Sequence, residues 1–126
     1  MKGNVVVEKS KKFALRIINL YKYLCDKNEY ILSKQILRSG TSIGANIREA
    51  TFGQTKADFY FKMNIARKEA NETEYWLELL YEGKYIKKND FESIYGDCKE
   101  IIKLLTSITK TQKTLNKKIN TEISNC

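Results

Sequence analysis

Proline is absent from this chain, and so is histidine. Without proline no position carries a locked φ or a missing amide donor, so nothing bars long uninterrupted helices. Without histidine the commonest general base and metal ligand is gone. A di-iron helical bundle needs Glu-x-x-His on facing helices. Glu69 and Glu72 have that spacing, but no histidine follows. We therefore expect no metal, no cofactor and no catalytic residue. Cysteine is scarce: Cys25, Cys98 and Cys126 are widely spaced, odd in number and form no CxxC. That fits reduced thiols in a cytoplasmic protein better than a disulfide framework. No apolar run approaches the ~18–20 residues that span a bilayer. Val5-Val6-Val7 is too short for the core of a signal peptide. Membrane insertion and export are not expected.

What remains is a chain of 126 residues with helical periodicity along most of its length, a size that suits one domain with one core. Its centre is Gln35 to Leu80. Phe59, Met63, Ala66, Ala70, Thr73, Leu77 and Leu80 recur at alternating steps of four and three, the seam of a helix packed on other helices. Ile36, Gly40, Ile43, Ile47 and Ala50 repeat that rhythm, as do Phe13, Ile17, Leu20 and Leu24 near the start. Phe91, Ile94, Cys98, Ile101, Leu105 and Ile108 repeat it near the end. These patterns predict helices over about 7–26, 34–52, 56–81 and 90–115, with a basic tail over about 110–126. Ser33, Thr55 and Asn89 read as N-caps, and Gly53 as a left-handed helix stop. Short connections make neighbouring helices antiparallel, which predicts an all-α, up-down-up-down four-helix bundle.

Gly40 and Gly44 lie inside the second helix, where each costs about 1 kcal/mol relative to Ala. A phosphate loop would need G-x-x-x-x-G-K-[ST] after a strand, and neither is present. Close approach of a neighbouring helix is the reading the small residues around them support. Glu69 and Glu72 with Arg38 or Arg48 suit a polar layer between the two inner helices, against the alternative of a solvated acidic face. Tyr75, Trp76 and Tyr81 put apolar surface on more than one face of the third helix. One bundle has one inside, so the surplus points to self-association, or to a scaffold that docks a protein partner on this acidic, aromatic segment.

The charge is one-sided. Lys and Arg number 23 against 15 Asp and Glu, a net +8. Glu69 to Glu82 holds five acids and no base, so the excess of cations lies elsewhere. Such a balance favours nucleic acid first and an anionic membrane surface second, against a merely solvated basic surface. Lys99, Lys103, Lys110, Lys113 and Lys117 share one face of the fourth helix over about 27 Å. Lys12 and Arg16 share a face of the first, and the two sets together predict a groove. No aromatic ladder interleaves these cations, so binding would be driven by phosphates and sensitive to salt. No small-molecule substrate is evident.

Three strings carry a resemblance: Gln35–Ala50 (QILRSGTSIGANIREA), Lys56–Phe59 (KADF) and Ile65–Leu77 (IARKEANETEYWL). In these the chain resembles the four-helix bundle family of 23S rRNA intervening-sequence proteins, sometimes labelled ribosomal proteins. The resemblance implies a barrel-like homopentamer. It also implies kinship with the accessory protein of diversity-generating retroelements, a basic pentamer that works with a reverse transcriptase and nucleic acid. It supplies no catalytic residues.

Overall fold

The computed structural model describes the backbone of residues 2–124 and the side chains of residues 5–111 and 118. Four helices follow one another: α1 Lys2–Asp26, α2 Leu32–Thr51, α3 Lys56–Glu82 and α4 Lys88–Ser124. Each packs on its chain neighbour, and α4 closes the square against α1, while the diagonal pairs keep their backbones apart. The result is an all-α bundle running up, down, up and down.

The core lies along the central axis and is made by the seams the periodicity marks. Ile36, Ile43 and Ile47 of α2 meet Met63, Ala66, Ala70, Leu77 and Leu80 of α3, all fully buried. Ile94, Cys98, Ile101 and Leu105 of α4 and Phe13, Ile17 and Leu24 of α1 complete it. Between α2 and α3 the buried hydroxyls of Ser39 and Thr73 share a 2.8 Å hydrogen bond, which satisfies both polar groups inside the seam. Phe59 and Phe91 reach the core only in part.

Several helix ends differ from the sequence expectation, each for a local reason. α1 begins at Lys2 rather than near Val7. Val6 and Ser10 extend the Phe13–Ile17 stripe backwards at helical spacing, and burying them holds the extra turn. α1 ends at Asp26, and just past it Asn28, with a φ of 63°, lets the Glu29 N–H reach back to the Leu24 carbonyl at 2.9 Å. Ser33 is not the cap of α2; it is buried within the first turn, because the helix starts at Leu32. Glu29 does the capping. Its carboxylate accepts from the N–H groups of Ile31 (3.2 Å), Leu32 (2.9 Å) and Ser33 (2.7 Å).

Gly53 does not take the left-handed conformation expected of it, since no glycine has positive φ among the described residues. It sits in a tight corner, where a Cβ would lie 3.2 Å from the Ala50 carbonyl. Thr55 does cap α3, its hydroxyl accepting from the Asp58 N–H at 3.0 Å. At the far end the left-handed residue is Lys84 (φ 67°), one position after Gly83, and it brings the Tyr85 N–H to the Leu80 carbonyl at 2.8 Å. α4 starts at Lys88, which places Asn89 inside the first turn instead of at the cap. The helix also continues past residue 115 to Ser124. No Gly or Pro follows Gly96 to stop it.

Candidate nucleic-acid interface

The α1–α4 seam is bridged by charge. Arg16 of α1 pairs with Asp97 of α4 and donates to the Ser93 hydroxyl at 3.0 Å. Lys9 pairs with Glu100 at 2.7 Å. The carboxylate beside it, through a hydrogen bond and its charge, raises the Lys9 pKa above the ordinary lysine value. Lys12 is exposed and borders a cavity of about 100 Å³ with Phe13, Asp97 and Glu100. Two acids of α4 therefore stand between the α1 cations and the lysine stripe. Among the described residues, Lys12 and Arg16 are thus set apart from Lys99 and Lys103 by these acids; the part of the expected groove at Lys113 and Lys117 lies outside the described side chains.

On α4 itself, Lys99 leans the other way. It pairs with Glu74 of α3 at 3.5 Å and lies 5.0 Å from the centre of the Tyr95 ring. The Glu74 charge, with a hydrogen bond to Tyr95, raises its pKa. Lys103 and Lys110 follow on the same face and are exposed. Lys113 and Lys117 lie outside the residues whose side chains are described. Arg67 of α3 belongs beside this stripe and was not singled out from sequence. It stands two turns before Glu74 on one helical face, and the Lys99–Glu74 pair sets it alongside the Lys103 to Lys110 stretch. The seven-residue step from Arg67 to Glu74 was the available signal.

The packing residues resolve more sharply. Arg38 reaches across to α3, bonding Glu69 at 3.3 Å and, more closely, Glu72. Arg38 is thus the partner of the two acids, and Arg48 is not. The polar group sits on the rim of the α2–α3 seam, with half of the Arg38 side chain exposed. Gly40 is the tight contact: a Cβ there would come within 2.8 Å of Ile17 of α1. At Gly44 the nearest atom, the Ser10 carbonyl, would be 3.4 Å away. Trp76 packs half-buried on the core with its Nε1–H buried and unpartnered. Tyr81 stacks on Phe91 of α4 with centroids 4.4 Å apart. Only Tyr75 of that aromatic group stays exposed.

No catalytic constellation is evident among the described residues, and none of their acids and thiols cluster as a metal site. Burial pushes the Cys98 thiol up to about 12, so it stays protonated at neutral pH and donates weakly to the Ala70 carbonyl. No described helix is long and apolar enough to cross a membrane.

The profile of a family described as 23S rRNA-intervening sequence protein matches residues 2–107, which takes in α1, α2, α3 and the first 20 residues of α4. The chain belongs to that family. A crystal structure of a protein with unknown function, from the S23 ribosomal protein family of Bacteroides thetaiotaomicron VPI-5482, is 63% identical to this intervening-sequence protein. The match covers 87% of this chain and 99% of that one, with a TM-score of 0.85. No curated protein matches the chain.

Proposed function

We propose that this member of the intervening-sequence family is a non-enzymatic, homo-oligomeric bundle that binds RNA or DNA through its phosphates, in the cytoplasm. The observation that carries the reading is the net charge of +8 together with its placement. Acids are spent in cross-helix pairs with Arg38, Lys62 and Lys99, while Lys12 and Lys103 remain on the surface. No aromatic residue interleaves Lys103 and Lys110, so contacts go to the backbone and leave base edges unread. Retention of mixed-sequence RNA and DNA on a filter at low salt is the test. Retention that weakens as salt rises supports the reading, and no retention at low salt overturns it.

The assembly is proposed to be a homopentamer, as the family resemblance implies. Support comes from a second stripe on the outer face of α3. Phe61, Ile65, Tyr75 and Leu79 recur there at helical spacing, and Phe61 and Tyr75 are 63% and 54% exposed. A ring multiplies weak phosphate contacts without adding new ones. Sedimentation should give five times the 14.7 kDa chain mass, and Phe61→Glu with Tyr75→Glu should reduce it. A wild-type monomer at high concentration contradicts the assembly. In that case this exposed strip instead supports the second reading, a scaffold for a protein partner.

A further inference from the structure

Three of the four seams in the bundle are crossed by ion pairs. Arg16–Asp97 and Lys9–Glu100 join α1 to α4, Arg38–Glu69 and Lys62–Glu49 join α2 to α3, and Lys99–Glu74 joins α3 to α4. The α1–α2 seam has none among the described residues. Its exposed charges are cations instead: Lys11 and Lys22 on α1, Lys34 and Arg48 on α2. None of the four forms an ion pair with a described residue. The two acids of α1, Glu8 and Asp26, stand at the ends of this row, and the one acid of α2, Glu49, is taken by Lys62 of α3.

The packing sets these cations out in two pairs. α1 and α2 run antiparallel with Ser10 against Gly44 and Ile17 against Gly40. That register brings Lys11 level with Arg48 and Lys22 level with Lys34. Lys11 and Arg48 line one cavity of about 240 Å³, with Ser10, Ala14, Gly44 and Ala45 leaving its floor open. Eleven residues separate Lys11 from Lys22, about 16 Å of helix, which matches the rise of about five nucleotides in one strand. Four like charges on one seam repel each other and do nothing for the fold, but they focus field on whatever anion enters. The Arg48 fork can take two oxygens of one phosphate while Lys11 supplies a point charge opposite.

We infer that the α1–α2 groove is a phosphodiester-binding site, with Lys11 and Arg48 clasping one phosphate at the cavity and Lys22 and Lys34 another along the same strand. This rests on the nucleic-acid reading above and assigns it a place on the molecule. The test compares wild type, Lys11→Gln/Arg48→Gln and Lys103→Gln/Lys110→Gln for binding to a mixed-sequence DNA duplex over a range of salt. Each lost phosphate contact flattens the log–log salt slope by about 0.9 and lowers affinity about eightfold near 0.1 M salt. The α1–α2 double variant, which loses one phosphate, should therefore bind about eightfold more weakly, with a slope shallower by about 0.9. Lys22→Gln/Lys34→Gln should behave alike, which guards against one variant failing to fold. Unchanged affinity and slope in both α1–α2 variants, with wild type binding normally, overturn the site but leave the function standing. A wild type that binds neither the duplex nor mixed-sequence RNA at low salt defeats the function and the site with it.

Discussion

Glu29 shows how one side chain can start a helix that has no hydroxyl cap. The first turn of α2 presents N–H groups without intrahelical acceptors, and Ile31 before it has no side chain to offer them. The Glu29 carboxylate, only 8% exposed, accepts three of these groups at once. Burial alone pushes its pKa up, but the hydrogen bonds from Leu32, Ser33 and Ile31 outweigh that and leave it below the usual carboxylate value. A folded-state pKa below the unfolded one stabilises the protein above the ordinary glutamate range, about 4.3, and the contribution is lost as pH falls through the depressed value. Glu29→Ala should cost about 1–3 kcal/mol near neutral pH by orphaning buried donors. In urea melts the gap between wild type and the variant should be constant above about pH 5 and close in more acidic solution. A gap independent of pH down to acid unfolding contradicts this role.

At the level of elements, the contact between α1 and α2 depends on which glycine faces which side chain. Ile17 is fully buried and branched at Cβ, so it has no flexible end to swing away from a methyl group at residue 40. Gly40→Ala should destabilise by about 1–3 kcal/mol through overpacking. Gly44→Ala meets only ordinary contacts and should be neutral or stabilising by up to about 1 kcal/mol, since it replaces glycine within a helix. Thermal melts of the two variants, moving in the same direction by the same amount, would contradict the assigned packing. The sequence made both glycines legible as a close approach, because small residues at helical spacing have few other uses. It did not rank them, because the rank depends on rotation about the α1 axis. The seams of α2 and α3 were legible residue by residue, since burial there follows helical period alone. The ends were not. Glu29, Asn28 and Lys84 act through backbone geometry and long-reach hydrogen bonds that leave no local pattern. The exposure of Lys99, Lys103 and Lys110 on one face of α4 was readable from their spacing, whereas the acids that neutralise or separate their neighbours became visible only once Asp97 and Glu100 were seen facing α1.

For the whole molecule, the decisive property is the disposition of charge around four parallel seams. Pairing across three of them consumes acids and leaves cations on the outer faces, so the net +8 is a surface property that the core does not need. Family membership explains the bundle and supplies no chemistry, and the described side chains offer no catalytic constellation to compete with a binding role. The account therefore turns on whether affinity for nucleic acid comes from phosphates. The direct measurement is the association constant of the wild-type protein for a mixed-sequence duplex and for an unrelated second sequence, each taken over a series of salt concentrations. Similar affinities for both, falling steeply with salt at about 0.9 logarithmic units per contact, are predicted. Binding that is flat in salt, or confined to one of the two sequences, would contradict the account.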